Sequence, residues 1–179
     1  MNRFSIQDTP ISQVKVIQKH PIVDTRGSLT RIYCADALLA AGWTKSIAQV
    51  NLTSTSKRGT VRGMHFQIAP HAEVKLVRCV AGTVHDVALD LRLESPTFKQ
   101  SVATELSADN GLAMFLPGGI AHGFQTLTDN AALFYQMSAP YEPKSARGVR
   151  RDDAAFQIEW PIAEAIVCER DAAFLDFTE

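Results

Sequence analysis

The sequence predicts an all-β fold, a sandwich or barrel of short strands with brief peripheral helices. Three observations predict it. Most of the chain divides into short runs rich in Val, Ile, Leu, Thr and Phe, separated by turns carrying Gly, Pro, Asn or Asp. Strand–helix–strand alternation is not visible in the pattern. The sequence holds no repeat, low-complexity tract or linker, so residues 1–179 read as one domain.

The elements follow in order. The first predicted strand is Val14–Ile17. The turn Asp24-Thr25-Arg26-Gly27 leads into Ser28–Tyr33, and a short helix over Asp36–Ala41 is ended by Gly42. Ser46–Leu52 is the next strand, and Lys57-Arg58-Gly59 separates it from Thr60–Gln67. Glu73–Val80 and Thr83–Leu91 are joined by a tight hairpin at Ala81-Gly82. Glu94-Ser95-Pro96 then breaks the chain before Val102–Leu106. Leu112–Leu116, Gly123–Leu127 and Ala132–Met137 are set off by Ala108-Asp109-Asn110-Gly111, Pro117-Gly118-Gly119 and Thr128-Asp129-Asn130. Residues 141–153 are charged and irregular and read as a loop, and Ile162–Phe177 reads as a C-terminal helix.

Composition narrows the function classes. At 46% hydrophobic and 21% charged residues, the chain has the make-up of a folded domain rather than a disordered one. Eighteen Lys+Arg against nineteen Asp+Glu give a net charge of −1, with no broad basic field for a nucleic-acid duplex. No apolar run approaches the ~20 residues of a membrane-spanning helix. Cys34, Cys79 and Cys168 are far apart and odd in number, which supports neither a disulfide framework nor a zinc ribbon. Polar Gln7, Asp8 and Gln13 interrupt any secretory apolar segment, and the expected compartment is the cytoplasm.

Strand faces locate the chemistry. In Glu73–Val80, Glu73 and Lys75 share a face with Val77 and Cys79. A charge on an otherwise apolar face is costly unless paired, so Lys75 points either to a polar ligand inside the sandwich or to solvent near a strand end. In Thr83–Leu91, Asp86 and Asp90 lie opposite His85, Val87 and Leu89. Arg62 and His65, three apart, would face opposite sides of a regular strand. A bulge at Gly63 would bring a cation and an imidazole into one pocket. His65 then has the character of a base near neutral pH, against the plainer reading of a hydrogen-bonded sheet histidine. Gly118, Gly119 and Gly123 around His122 let backbone approach a ligand. Tyr135 is a candidate acid or a satisfied core tyrosine, and Glu169-Arg170-Asp171 a solvated run or a source of a carboxylate for a histidine.

A metal site would draw on His65, His71, Glu73 and His122. These lack the i, i+2 His pair that points two imidazoles the same way on a strand, so no metal is expected. Neither a P-loop nor a nucleophile elbow occurs. Arg26, Arg58, Arg62 and Arg147 each precede a glycine, a pattern that fits an anionic ligand such as a nucleotide diphosphate.

Ordered motifs along the chain carry a family resemblance. They include Asp24-Thr25-Arg26-Gly27, Gln49-Val50-Asn51, Arg62-Gly63-Met64-His65-Phe66-Gln67 and Lys75-Leu76-Val77-Arg78. Further along come Gly82-Thr83-Val84-His85-Asp86-Val87, Asp90-Leu91-Arg92, Ser95-Pro96-Thr97-Phe98, Pro117 to Phe124 and Trp160-Pro161. From about Val14 to Phe174 the chain resembles the dTDP-4-dehydrorhamnose 3,5-epimerases. The resemblance implies a cupin-type jelly roll, a homodimer, and an isomerase that needs no metal or other cofactor. It implies a nucleotide-diphosphate 4-keto-6-deoxyhexose as substrate, inverted at C3, C5 or both. It casts His65 as the base, Asp171 as its carboxylate partner, Lys75 as the cation at the C4 oxygen and Tyr135 as the acid on the opposite face. Arg26, Gln49, Asn51, Arg62, Lys75, His122 and Arg170 are implied substrate contacts.

Two positions depart from the family pattern, with Arg31 and Ala146 standing where glutamates are usual. The stretch Arg150-Arg151-Asp152-Asp153 lacks the expected tryptophan. Alternatives are an epimerase of one carbon or of another nucleotide sugar, a non-catalytic sugar-nucleotide binder, and a metal-dependent cupin. Retention of His65, Lys75, Tyr135 and Asp171 favours catalysis.

Overall fold

Alternation along the strands decides the architecture, because each strand presents one apolar face to a partner sheet. The computed structural model describes residues 3–178. In chain order the first elements are β1 (Phe4–Asp8), β2 (Lys15–Lys19), β3 (Ile22–Asp24), β4 (Gly27–Leu29) and α1 (Ala35–Leu39). Next come β5 (Gln49–Thr55), β6 (Val61–Gln67), β7 (Lys75–Ala81), β8 (Thr83–Asp90) and β9 (Ser101–Ser107). The last are β10 (Leu112–Leu116), β11 (Ile120–Thr126), β12 (Ala131–Met137), β13 (Ala146–Gly148) and α2 (Glu169–Ala172).

A six-stranded antiparallel sheet, ordered β1-β2-β10-β7-β12-β5, faces a five-stranded one ordered β13-β6-β11-β8-β9. The inner core joins Val77 and Cys79 of β7 and Leu133 of β12 to Val84 and Ala88 of β8 and Phe124 of β11. Outside the six-stranded sheet, Leu38, Ala41 and Trp43 cover Phe115, Leu76 and Ile17. Buried Arg78 supports that layer by donating to the Ile32 carbonyl and to Gln136 Oε1. Outside the five-stranded sheet, Val149, Phe156 and Trp160 cover Met64, Val87 and Leu89.

Most predicted strands are present, and the differences have local causes. The helix expected over Ile162–Phe177 is only Glu169–Ala172. Residues before it are spent on the sheet: Ile166 N donates to Gly59 O at 3.1 Å, and Val61 N donates to Ile166 O at 2.9 Å. Those bonds form a parallel bridge between Thr60 and Ile166, and tertiary pairing overrides helix propensity there. The strand expected at Ser28–Tyr33 is shorter, with β4 paired only to β3 around the Asp24–Gly27 turn. Strand β1 was not expected from the pattern, and neither was β13, which lies inside the predicted 141–153 loop and pairs with β6.

The Asp90 and Ser95–Thr97 motifs are structural. Asp90 is fully buried and accepts hydrogen bonds from Arg92 Nη2 at 2.7 Å, Ser95 Oγ at 2.6 Å and Thr97 Oγ1 at 2.7 Å. Burial alone would raise its pKa, but these donors overcome that and bring it from 3.8 to about 2. A carboxylate whose folded pKa is depressed stabilises the fold above its unfolded pKa, and the contribution is lost as pH falls through the folded value. At about 1.4 kcal/mol per unit, Asp90 contributes ~2 kcal/mol. The urea midpoint should therefore drop as pH falls from about 4 to about 2. Asp90→Asn should remove much of that dependence, and an unchanged pH profile would contradict this account.

Candidate active site

Gly63 opens the site. Its φ is +135°, and a Cβ there would lie 2.4 Å from Gly123 Cα, so no side chain fits. Beside it the β6–β11 register shifts, with His122 opposite His65 and Phe124 opposite Arg62. This is the expected bulge, and Arg62 and His65 both line the resulting cleft.

The cleft has two lobes that share Asn51, His65, Lys75, Met137 and Arg170. The first, about 540 Å³, is completed by Gln49, Glu73, Tyr141, Ala146, Arg147 and Phe174 among others. The second, about 470 Å³, adds Thr53, Arg62, His122, Tyr135, Cys168 and Asp171. Phe174 stands edge-on to His65, with ring centroids 6.1 Å apart.

His65 Nε2 lies 2.8 Å from Asp171 Oδ1. Asp171 is buried on α2 and also accepts from the Gly63 N–H at 3.2 Å and Arg170 Nε at 3.2 Å. Burial would raise its pKa; hydrogen bonding and charge from His65, with Gly63 and Arg170, bring it down to about 2 instead. Asp171 is therefore ionised at neutral pH and holds Nε2 as N–H, which leaves Nδ1 with the lone pair. Arg170 Nη2 also lies 3.0 Å from Nε2. With that nitrogen protonated toward Asp171, the guanidinium is held by the carboxylate rather than by the ring.

The facing sheet supplies Lys75 and Tyr135. Lys75 is buried, 2.7 Å from Glu73 Oε1, and donates to the His65 carbonyl at 3.3 Å. Tyr135 is pushed well above an ordinary tyrosine by burial and by the negative charge of Asp86. A hydrogen bond with Thr53 and the positive charge of Arg62 only partly offset this. The ring is thus a phenol at neutral pH. His122 stacks edge-on against it at 5.9 Å, while its own Nε2 is held by buried Asp86 Oδ1 at 2.8 Å.

All the expected site residues but one reach the cleft. Arg26 lines neither lobe; it sits at the tip of the β3–β4 hairpin, its side chain 88% exposed and paired with Asp24. Asp86, Thr53 and Tyr141 were not among the residues expected, and Glu73 was weighed only as a metal ligand. Asp86 had a readable signal, since it shares a strand face with Val84 and Ala88 and a buried carboxylate there must be paired. His71 is tied to Ser145. Among the described residues no three of His, Cys, Asp and Glu are grouped to hold a metal.

Against known proteins, the family model for dTDP-4-dehydrorhamnose 3,5-epimerase matches residues 8–179. The chain belongs to that epimerase family. A 3,5-epimerase from Sinorhizobium fredii is 36% identical over 97% of this chain and 89% of its own. A dTDP-4-dehydrorhamnose 3-epimerase from Streptomyces niveus is 40% identical over 83% of this chain and 72% of its own. A 3,5-epimerase from Bacillus anthracis, solved with TDP and PPi bound, superposes with TM-score 0.93 at 34% identity. That match covers 97% of this chain and 99% of the other. Against the family pattern, Ala146 removes a carboxylate from the first lobe, where Arg147 stands next to it. Arg31 lies outside both lobes, beside Cys34.

Proposed function

We propose that the chain epimerises a nucleotide-linked 4-keto-6-deoxyhexose, converting dTDP-4-dehydro-6-deoxy-D-glucose to dTDP-4-dehydro-L-rhamnose. One observation carries the reading: His65 rises from one sheet while Tyr135 and Lys75 come from the facing one. A hexose lying between the sheets would meet a base on one face and an acid on the other, which inversion requires.

A proton next to a ketone is weakly acidic. His65 Nδ1 takes it, the C–H electron pair becomes a double bond to C4, and the C4=O π pair moves onto the oxygen to form an enolate. Lys75 donates to that oxygen as charge develops there. Tyr135 gives its proton to the opposite face of the carbon, and the two residues re-equilibrate with solvent, so no net redox change occurs. Asp171 holds the His65 tautomer and stabilises the imidazolium. The second lobe takes the hexose. In the first, Tyr141 and Phe174 suit a base, and Arg147 and Arg170 suit a diphosphate, with Gln49 and Asn51 at its wall.

The same reading includes a homodimer. It is supported by Arg26, which lines neither lobe of its own chain, so the substrate contact that the resemblance implies for it calls for a second chain's cleft. It is supported as well by exposed Val23 and Leu29 of the hairpin and Leu52 of the edge strand β5. Light scattering at twice the chain mass is the expected result.

Proton NMR in heavy water with dTDP-4-dehydro-6-deoxyglucose tests the activity. Loss of signal at C3 and C5 is expected, with the inverted product trapped by a reductase. The 3-epimerase from S. niveus, 40% identical, keeps single-carbon exchange as the second reading. No exchange by the folded protein overturns both.

A further inference from the structure

The Lys75 ammonium has three donors and no acceptor. One proton goes to Glu73 Oε1 at 2.7 Å and one to the His65 carbonyl at 3.3 Å. A single N–H is left over, on a side chain that lines both lobes of the cleft. Glu73 is 7% exposed and Lys75 8%, so the pair is screened little by water. Among the described residues Glu73 is also the sole carboxylate lining the first lobe. Its other oxygen, Oε2, is buried with no hydrogen-bond partner. A glutamate kept only for structure would have both oxygens satisfied, since a half-satisfied buried carboxylate costs stability. Glu73 stands two residues from Lys75, outside any regular strand, so backbone pairing does not account for it.

We infer that Glu73 is a positioning residue: it fixes the Lys75 ammonium so that its one uncommitted donor faces the substrate oxygen where negative charge develops. The inference rests on the epimerase reading above. Lys75 has a flexible four-carbon stem, and without Glu73 its head would lose its shortest anchor. Preorganised donors stabilise developing charge without reorganising at the moment of reaction, so freeing the ammonium acts on the chemical step.

The test measures deuterium uptake by dTDP-4-dehydro-6-deoxyglucose in wild type, Glu73→Ala, Glu73→Gln, Lys75→Ala and the Glu73→Ala/Lys75→Ala pair. Wild-type uptake is recorded first; its absence fails the epimerase reading and not this inference alone. Glu73→Ala should lower kcat for uptake by about 10²-fold with KM within about threefold of wild type. Glu73→Gln keeps the shape and one carbonyl acceptor for Lys75, so it should fold like wild type and recover at least about tenfold of that loss. On the Lys75→Ala background, followed over long incubation, removing Glu73 should cost nothing further. Wild-type uptake by Glu73→Ala overturns the inference. So does a loss confined to KM, or one repeated in full without Lys75.

Discussion

Replacing His65 with alanine lowers deuterium uptake at both C3 and C5 by at least about 10³-fold, the upper part of the range for a positioned base. The effect falls on both carbons because the cleft offers one base on that sheet. His122, opposite it across β6 and β11, is held by Asp86 in the same way, but its side chain is only 6% exposed and packs on Tyr135. The variant should still fold, since the His65 side chain is 34% exposed and its removal opens no sealed cavity. Asp171 loses its histidine partner but keeps the Gly63 N–H and Arg170. Wild-type circular dichroism with uptake near the wild-type rate would remove His65 from the role of base.

Tyr135→Phe separates two steps that His65→Ala abolishes together. On the proposed mechanism deprotonation needs His65 and Lys75, both left in place, so uptake from heavy water should persist within about tenfold. Delivery of a proton to the other face loses its donor. The ratio of inverted product to exchanged substrate should therefore fall by about 10²-fold. Burial and Asp86 hold Tyr135 as a phenol, so over the neutral range the wild-type ratio should not follow a tyrosine titration. The fold is little disturbed, because the loss is one hydroxyl with Thr53 as its partner. Equal losses of uptake and inversion would move Tyr135 to substrate binding, and no loss of either would exclude it from the reaction.

Much of the site was legible because strand alternation is a two-residue code. Lys75 on a face with Val77 and Cys79 marked a charge facing the inner layer; Asp86, on a face with Val84 and Ala88, was missed although the same code marks it. Gly63 between Arg62 and His65 signalled the bulge. The C-terminal segment was not legible. Ile162–Phe177 has enough apolar residues for a helix, yet its backbone groups bond to Gly59 and Val61. Glu73 was visible on the strand face of Lys75 and as a member of an incomplete metal set, but that its carboxylate closes on Lys75 depends on where the chain before β7 turns.

The sequence by itself determined that the chain is all-β, which residues share each strand face, and the family motifs with the residue types they carry. These are local properties, written in spacing. Only the tertiary structure decided the pairings that make those residues work. Asp171 reaches His65 across 106 positions, and His122 reaches Asp86 across 36. Such contacts follow from loop closure and sheet packing, which no short window of sequence encodes. The hairpin that holds Arg26 away from its own cleft belongs with them, as does the Glu73 carboxylate that anchors the Lys75 ammonium.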